Sequence, residues 1–320
     1  MKIITTNNGE EYKKRNFIVN STAVTAGLIG YSAIRQTLNY ALCRPLAKNI
    51  VKYGKQADSV EINNALNSIL KEPKVAEKNI KIIDFDKLPK IQDPNIEDYI
   101  KNLYESVPPK YKEKVSYSKE ILEQETHVMD ILNKFCPNRT KSFKSLNDFF
   151  AQKYRYALQE GRTAMALLPK NDIFVNLKKL PSATFHELGH IMNPATNIIA
   201  ARCKFVLPFI VGATLLTRKK VDGEDYKNKF DKVVSTARKN APLIAMASLM
   251  PVVSTEVLAS YKGTQLAKPY ISKKTLNTLT KLHLSGAGTY LITMVATGLS
   301  LWGAMKIKDK IAAPKLIENS

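Results

Sequence analysis

The sequence predicts a mainly α chain with a small β-sheet, an α+β protein whose hydrophobic helices span or dip into a membrane. Three observations carry this expectation. Long uncharged runs recur near the N-terminus and through the second half, apolar residues elsewhere keep helical spacing, and only a few short stretches are bounded like strands.

The first run, Asn16 to Ile34, lies between Arg15 and Arg35 and is diluted by Asn20, Ser21, Thr22, Thr25 and Ser32. It reads as a spanning anchor or a buried helix. No clear small-residue cleavage site follows it, so an uncleaved anchor fits better than a removable leader. Residues 1–45 are therefore expected to form an N-terminal membrane anchor region.

Residues 46–160 differ in kind, being lysine-rich, polar and patterned for amphipathic helices. Asp58 with Glu61 reads as a capping box ahead of Ile62, Leu66, Ile69 and Leu70. Asp93-Pro94 opens a second helix carrying Ile96, Ile100 and Leu103, and Ser118 precedes a third with Ile121, Leu122, Met129, Leu132 and Phe135. Ile80 to Phe85 reads as a strand. His127 is taken as an ordinary helical residue, and Phe149, Phe150, Tyr154 and Tyr156 as core rather than a binding platform.

Ala164 to Leu168 and Asp172 to Leu177 read as two strands joined at Pro169-Lys170-Asn171. A short helix follows, with Ser182 as its cap and Asn193-Pro194 as its stop. It contains His186-Glu187-Leu188-Gly189-His190. Positions i and i+4 share a helix face, so both imidazoles can reach one metal ion, while Glu187 is offset toward the substrate side as a candidate base. Only four histidines occur in 320 residues, which makes a chance match uncommon. Gly189 costs about 1 kcal/mol relative to alanine inside a helix. Either a neighbouring backbone or bulky group packs closely there, or the glycine is simply tolerated near a helix end.

A catalytic zinc site takes a third protein ligand and keeps a position for water. Glu256 is the best candidate, because it stands alone in the otherwise uncharged run Ala241 to Tyr261, where a carboxylate must be neutralised, paired or bound to a cation. His283 competes for the role. Its place beside Lys281, at the edge of another apolar run, otherwise marks it as an interfacial residue.

From Ala164 to Gln265, the order of edge strands, His-Glu-x-Gly-His helix, hydrophobic stretches and Glu-x-x-Ala-x resembles the gluzincin metallopeptidases. Within them it resembles the membrane-embedded group typified by the prenyl-protein (CAAX) processing enzymes and the bacterial heat-shock quality-control protease. The resemblance implies a zincin-like metallopeptidase core over 161–265, a single zinc ion held by His186, His190 and Glu256, and Glu187 as general base. It further implies a peptide or protein substrate and a cytoplasm-facing site. Such enzymes lay an extended substrate along an edge strand, for which Asp172-Ile173-Phe174-Val175 or Ala164 to Leu168 is the candidate. One departure stands out: the family usually has aspartate four residues after the ligand glutamate, and Ser260 occupies that position as a weaker acceptor for the imidazole N–H.

Leu284 to Met305, bounded by Lys281 and Lys306, reaches the ~20 residues of a straight crossing, so residues 266–320 are expected to hold a transmembrane helix and a basic tail. Phe205 to Thr217 and Ala241 to Thr255 are shorter. They read as a membrane-dipping hairpin, as spans lengthened by snorkelling of Arg202 and Lys204 and by neutralisation of Glu256, or as buried core helices. The loop Arg218 to Lys239 carries eight basic residues against four acidic ones, which favours the cytoplasm, yet four crossings would then translocate the five lysines of Lys262 to Lys281.

A net charge of +21 asks for an anionic partner or reflects a lysine bias. Anionic membrane lipids fit better than nucleic acid, since the basic residues are dispersed or flank apolar runs and no nucleic-acid module is recognisable. Cys43, Cys136 and Cys203 lack Cys-x-x-Cys spacing, which argues against a zinc cluster or a disulfide framework. Two functions of different class remain: a membrane-associated zinc endopeptidase, and a catalytically inactive membrane scaffold that binds lipids or partners.

Overall fold

A computed structural model describes residues 3–90, 92 and 151–317. In chain order its elements are β1 (Ile3–Thr5), β2 (Glu11–Lys13), α1 (Phe17–Gln56), α2 (Ser59–Ile69), α3 (Pro73–Ala76), β3 (Lys81–Asp84), β4 (Met165–Leu167), β5 (Asp172–Val175), α4 (Ala183–Ile191), α5 (Pro194–Leu216), α6 (Lys229–Lys239), α7 (Ala241–Ala267), α8 (Lys273–Ala312) and β6 (Lys315–Leu316). Residues 151–159 are also helical. The class is mainly helical with two small three-stranded sheets. Two compact units divide the chain: Met1–Glu77 with Phe185–Ser320, and Lys78–Thr184.

The first unit contains four helices long and apolar enough to cross a membrane: α1, α5, α7 with its 3₁₀ extension to Tyr270, and α8. At 40 residues each, α1 and α8 measure about 60 Å, twice the ~30 Å that a straight crossing of a hydrocarbon layer needs. They run antiparallel along a seam of small residues. Gly27 faces Ala304 and Lys308, Gly303 faces Ile34, and Gly288 faces Leu46. This seam carries α1 unbroken past Pro45, so the boundary expected at residue 45 falls inside a helix. The same seam continues on both sides of that proline.

Leu207, Val211 and Leu215 of α5 pack with Ala245, Leu249 and Val252 of α7 and with Leu301 and Ala304 of α8. The opposite faces are apolar too, with Phe17 84% exposed and Phe205 and Phe209 each 75% exposed. An apolar exterior over a small-residue interior is how helices pack when the surrounding solvent is lipid. The shorter runs expected around 205–217 and 241–255 are both lengthened, with Arg202 and Lys204 inside α5 and Glu256 inside α7.

Both ends of the bundle are tied. At one end β1, β2 and β6 form an antiparallel sheet, Arg15 Nε donates to the Ala313 carbonyl (2.7 Å), and Asn7 N–H donates to the Gly223 carbonyl (2.9 Å). At the other, Glu61 of α2 reaches the start of α8, accepting from the Ser272 N–H and the Thr275 hydroxyl. The expected capping box is thus half formed. Asp58 Oδ1 accepts from Val60 N and Glu61 N (3.0 and 3.1 Å), but the Glu61 carboxylate is drawn to a stronger set of donors on α8.

The second unit is built on the sheet β3-β5-β4. Strand β5 pairs in parallel with β3 and antiparallel with β4, and the β4–β5 turn contains Asn171 at φ 54°, a left-handed conformation that asparagine tolerates. Being paired on both sides, β5 offers no free edge for an extended peptide; β3 and β4 are the outer strands among the described residues. Ile173, Val175, Phe85 and Leu158 are buried. Tyr154 is exposed rather than core, and Tyr156 lies under the Arg162 guanidinium, 5.6 Å from ring centroid to carbon. The helices expected after Asp93 and Ser118, with His127, Cys136, Phe149 and Phe150, lie outside the described residues.

Candidate metal centre

Helix α4 spans Ala183–Ile191 and buries Phe185, Leu188 and Ile191 on one face, leaving His186 and His190 one turn apart on another. Its start is not capped as expected. Ser182 is fully buried, and its hydroxyl has no hydrogen-bond partner among the described residues. A tight turn does the work instead: Ala183 N–H bonds the Leu180 carbonyl (3.3 Å) and Thr184 N–H bonds the Pro181 carbonyl (3.1 Å), so first-turn donors of α4 are satisfied by backbone. Asn193-Pro194 ends α4 and starts α5, since a proline at the first helical position gives up no hydrogen bond.

Helices α4 and α7 touch backbone to backbone. A Cβ on Gly189 would overlap the Ala259 carbonyl, and a Cβ on Gly263 would overlap the Phe185 carbonyl. The glycine read from sequence as a cost is therefore one half of a paired crossing. That crossing brings Glu256 and Ser260 of α7 to the histidine face of α4.

His186 Nε2 lies 3.2 Å and His190 Nε2 3.4 Å from the same oxygen, Glu256 Oε2, and the two Nε2 atoms are 3.1 Å apart. The far ring nitrogens are also engaged. His186 Nδ1 is 3.0 Å from Ser260 Oγ, and His190 Nδ1 is 2.8 Å from Asn197 Oδ1. Asn197 settles one tautomer. Its amide nitrogen donates to the His190 and Asn193 carbonyls (3.0 and 2.9 Å), so Oδ1 must accept, His190 carries its proton on Nδ1, and Nε2 presents a lone pair. With the same arrangement at His186 and Ser260, two lone pairs and a carboxylate oxygen face one point. With both rings neutral, such a set is repulsive unless a metal ion or a proton lies between the atoms. Tetrahedral zinc with ligand bonds of ~2.0–2.1 Å sets its donors about 3.3 Å apart, so the spacing of these three atoms fits the ion.

Glu187 is buried beside the triad. Burial favours a neutral His190, but the hydrogen bond and charge of Glu256, with the charge of Glu187 behind them, hold its imidazole above the ordinary pKa. His283, the competing ligand, stays out of the cluster. It is buried with Nδ1 2.8 Å from Thr264 Oγ1, and its ring centroid lies 5.9 Å from that of His186. It is thus a buried neighbour of the site rather than an interfacial residue. The sequence reading missed Asn197 and Thr264, because a partner across a proline break or on a separate helix leaves no periodic signature.

The fold and this cluster define a mainly helical protein with four candidate membrane-spanning helices and a His-His-Glu group able to hold a metal ion. Comparison with family models, curated proteins and solved structures gives no match for this chain.

Proposed function

We propose that the protein is a membrane-embedded zinc-dependent endopeptidase. The observation that carries this reading is the convergence of His186 Nε2, His190 Nε2 and Glu256 Oε2 at mutual distances of 3.1–3.4 Å, next to a second glutamate in the His-Glu-x-x-His pattern. His186, His190 and Glu256 would hold the ion, while Ser260 and Asn197 keep both imidazoles in the ligand tautomer. Zinc in such a site polarises a scissile carbonyl and activates water near neutral pH. Glu187, adjacent in sequence to His186, takes the proton from the attacking water and returns it to the leaving amine, which balances the hydrolysis. Buried surroundings keep that transfer away from bulk solvent.

The test is metal content together with cleavage. Full-length protein purified in detergent is expected to hold one zinc per chain and to cleave an unstructured protein substrate in a chelator-sensitive manner. Absence of bound zinc at neutral pH defeats the reading. Zinc without cleavage leaves the inactive scaffold, for which Ser260 in place of an aspartate is the relevant departure.

A further inference from the structure

At the end of the bundle away from the metal triad, a cavity of about 380 Å³ opens between the C-terminal ends of α5 and α8. The 23 residues of α5 separate the two places by about 35 Å. Its basic lining is Arg218, Lys219, Lys220, Lys306, Lys308 and Lys310. Two acidic residues, Asp222 and Asp309, share the wall, but Asp309 is already committed. Its carboxylate lies 2.5 Å from Arg238 Nη2 and 3.6 Å from Lys308 Nζ, and both cations are buried, at 7% and 3% exposure. One carboxylate thus serves two buried positive charges. Arg218 and Lys220 pair with Glu224, and Lys220 also with Asp231. Lys219, Lys306 and Lys310 form no ion pair among the described residues, so the cavity keeps a positive surplus.

The surroundings specify the anion. Leu216, at the end of α5, is 74% exposed, and Trp302, one turn before Lys306 on α8, is 56% exposed with the Lys306 ammonium 5.6 Å from its ring centroid. An exposed indole under a lysine, between an apolar belt and a basic cavity, marks the headgroup level of a bilayer. We infer that this cavity binds the headgroup phosphate of an anionic phospholipid, whose acyl chains lie along the exposed faces of α5 and α8. A soluble phosphate would satisfy the lysines but would leave that apolar belt without a role.

The experiment titrates phosphatidylglycerol or phosphatidylcholine into the full-length protein in detergent and counts retained lipids by native mass spectrometry. The wild type is expected to retain phosphatidylglycerol preferentially. Replacing all three exposed lysines (Lys219→Gln, Lys306→Gln, Lys310→Gln) should weaken that retention about tenfold or more, whereas the corresponding three arginine substitutions should preserve it. The control triple Lys268→Gln, Lys273→Gln, Lys274→Gln removes equal charge at the opposite end and should change nothing. Equal losses in the two glutamine triples would show diffuse charge attraction and overturn the site. Equal retention of both lipids, or displacement of phosphatidylglycerol by millimolar inorganic phosphate, would overturn it as well. None of these readouts depends on bound zinc or on peptide cleavage.

Discussion

Gly189 sets its bare Cα against the backbone carbonyl of Ala259, so a single methyl group there would overlap the oxygen. Because Gly263 does the same to the Phe185 carbonyl, α4 and α7 cross with no side chain between them at two points. Gly189→Ala should push the helices apart, destabilise the protein by roughly 1–3 kcal/mol as overpacking does, and lower its zinc content. Gly212→Ala and Gly286→Ala, where nothing lies within 4 Å of the added carbon, are the controls and should be neutral or slightly stabilising. Thermal unfolding and metal analysis of the three variants decide the matter. A Gly189 variant that keeps full metal content would show that the crossing does not set the site.

The triad was legible in the sequence for a physical reason. Two histidines at helical spacing declare a shared face, and a lone carboxylate in an apolar run declares a need for a cation, so Glu256 could be named although it is distant along the chain. What could not be read is what holds those residues in place. Gly189 leaves a close approach and a tolerated helix-end glycine equally open in the sequence, and Asn197 looks like any polar residue beside Pro194. Glu61 was assigned to its own helix by a local pattern, whereas the fold offers it donors on α8 that no local pattern contains. Ser182 failed as a cap for the same reason in reverse, since the turn from Asn176 to Pro181 had already supplied acceptors.

Asn197 is predicted to tune the metal without touching it. In Asn197→Ala the His190 ring loses the acceptor that keeps Nδ1 protonated, and zinc affinity should fall about 10–100-fold. Ser260→Ala removes the equivalent acceptor at His186 and should act in the same direction. Competition against a chelating dye measures both. Unchanged affinity in each variant would mean that the ring orientations are fixed by packing alone.

Glu187 and Glu256 should separate cleanly. Glu187→Gln is expected to keep the zinc and lose about 10²–10⁴ in cleavage rate, the usual contribution of a positioned base. Glu256→Gln is expected to weaken zinc binding itself, because the oxygen shared by both imidazoles loses its charge. Elemental analysis beside a cleavage assay resolves the two; strong cleavage by the Glu187 variant would remove that residue as the base.

If all four candidate helices cross, the Arg218 loop and the N-terminal sheet should lie on one side of the membrane and the α7–α8 connection on the other. In a background lacking Cys43, Cys136 and Cys203, single cysteines introduced as Lys219→Cys and Lys273→Cys should react with an impermeant thiol reagent from opposite faces of sealed vesicles. Both positions are exposed, so reactivity reports sidedness rather than burial. Labelling of the two from the same face would reduce the number of crossings.

Glu61 joins α2 to the first turn of α8, and the bond has a pH signature. The Thr275 hydroxyl, joined by the Ser272 donors and opposed by burial, holds the Glu61 carboxyl below its ordinary pKa. A carboxylate with a depressed folded-state pKa adds stability above its unfolded pKa of about 4.3 and loses that contribution as the pH falls through the lower folded value. The unfolding temperature of Glu61→Gln should therefore lie below that of the wild type from pH 7 down to about 5, and the two should converge as the medium becomes more acidic. Ser272 and Thr275 stand at the start of the 40-residue helix that carries His283 beside the metal site, so the same titration should loosen α8. Metal loss and α8 loosening can then be told apart at neutral pH, where Glu61→Gln should lower stability and leave zinc content intact.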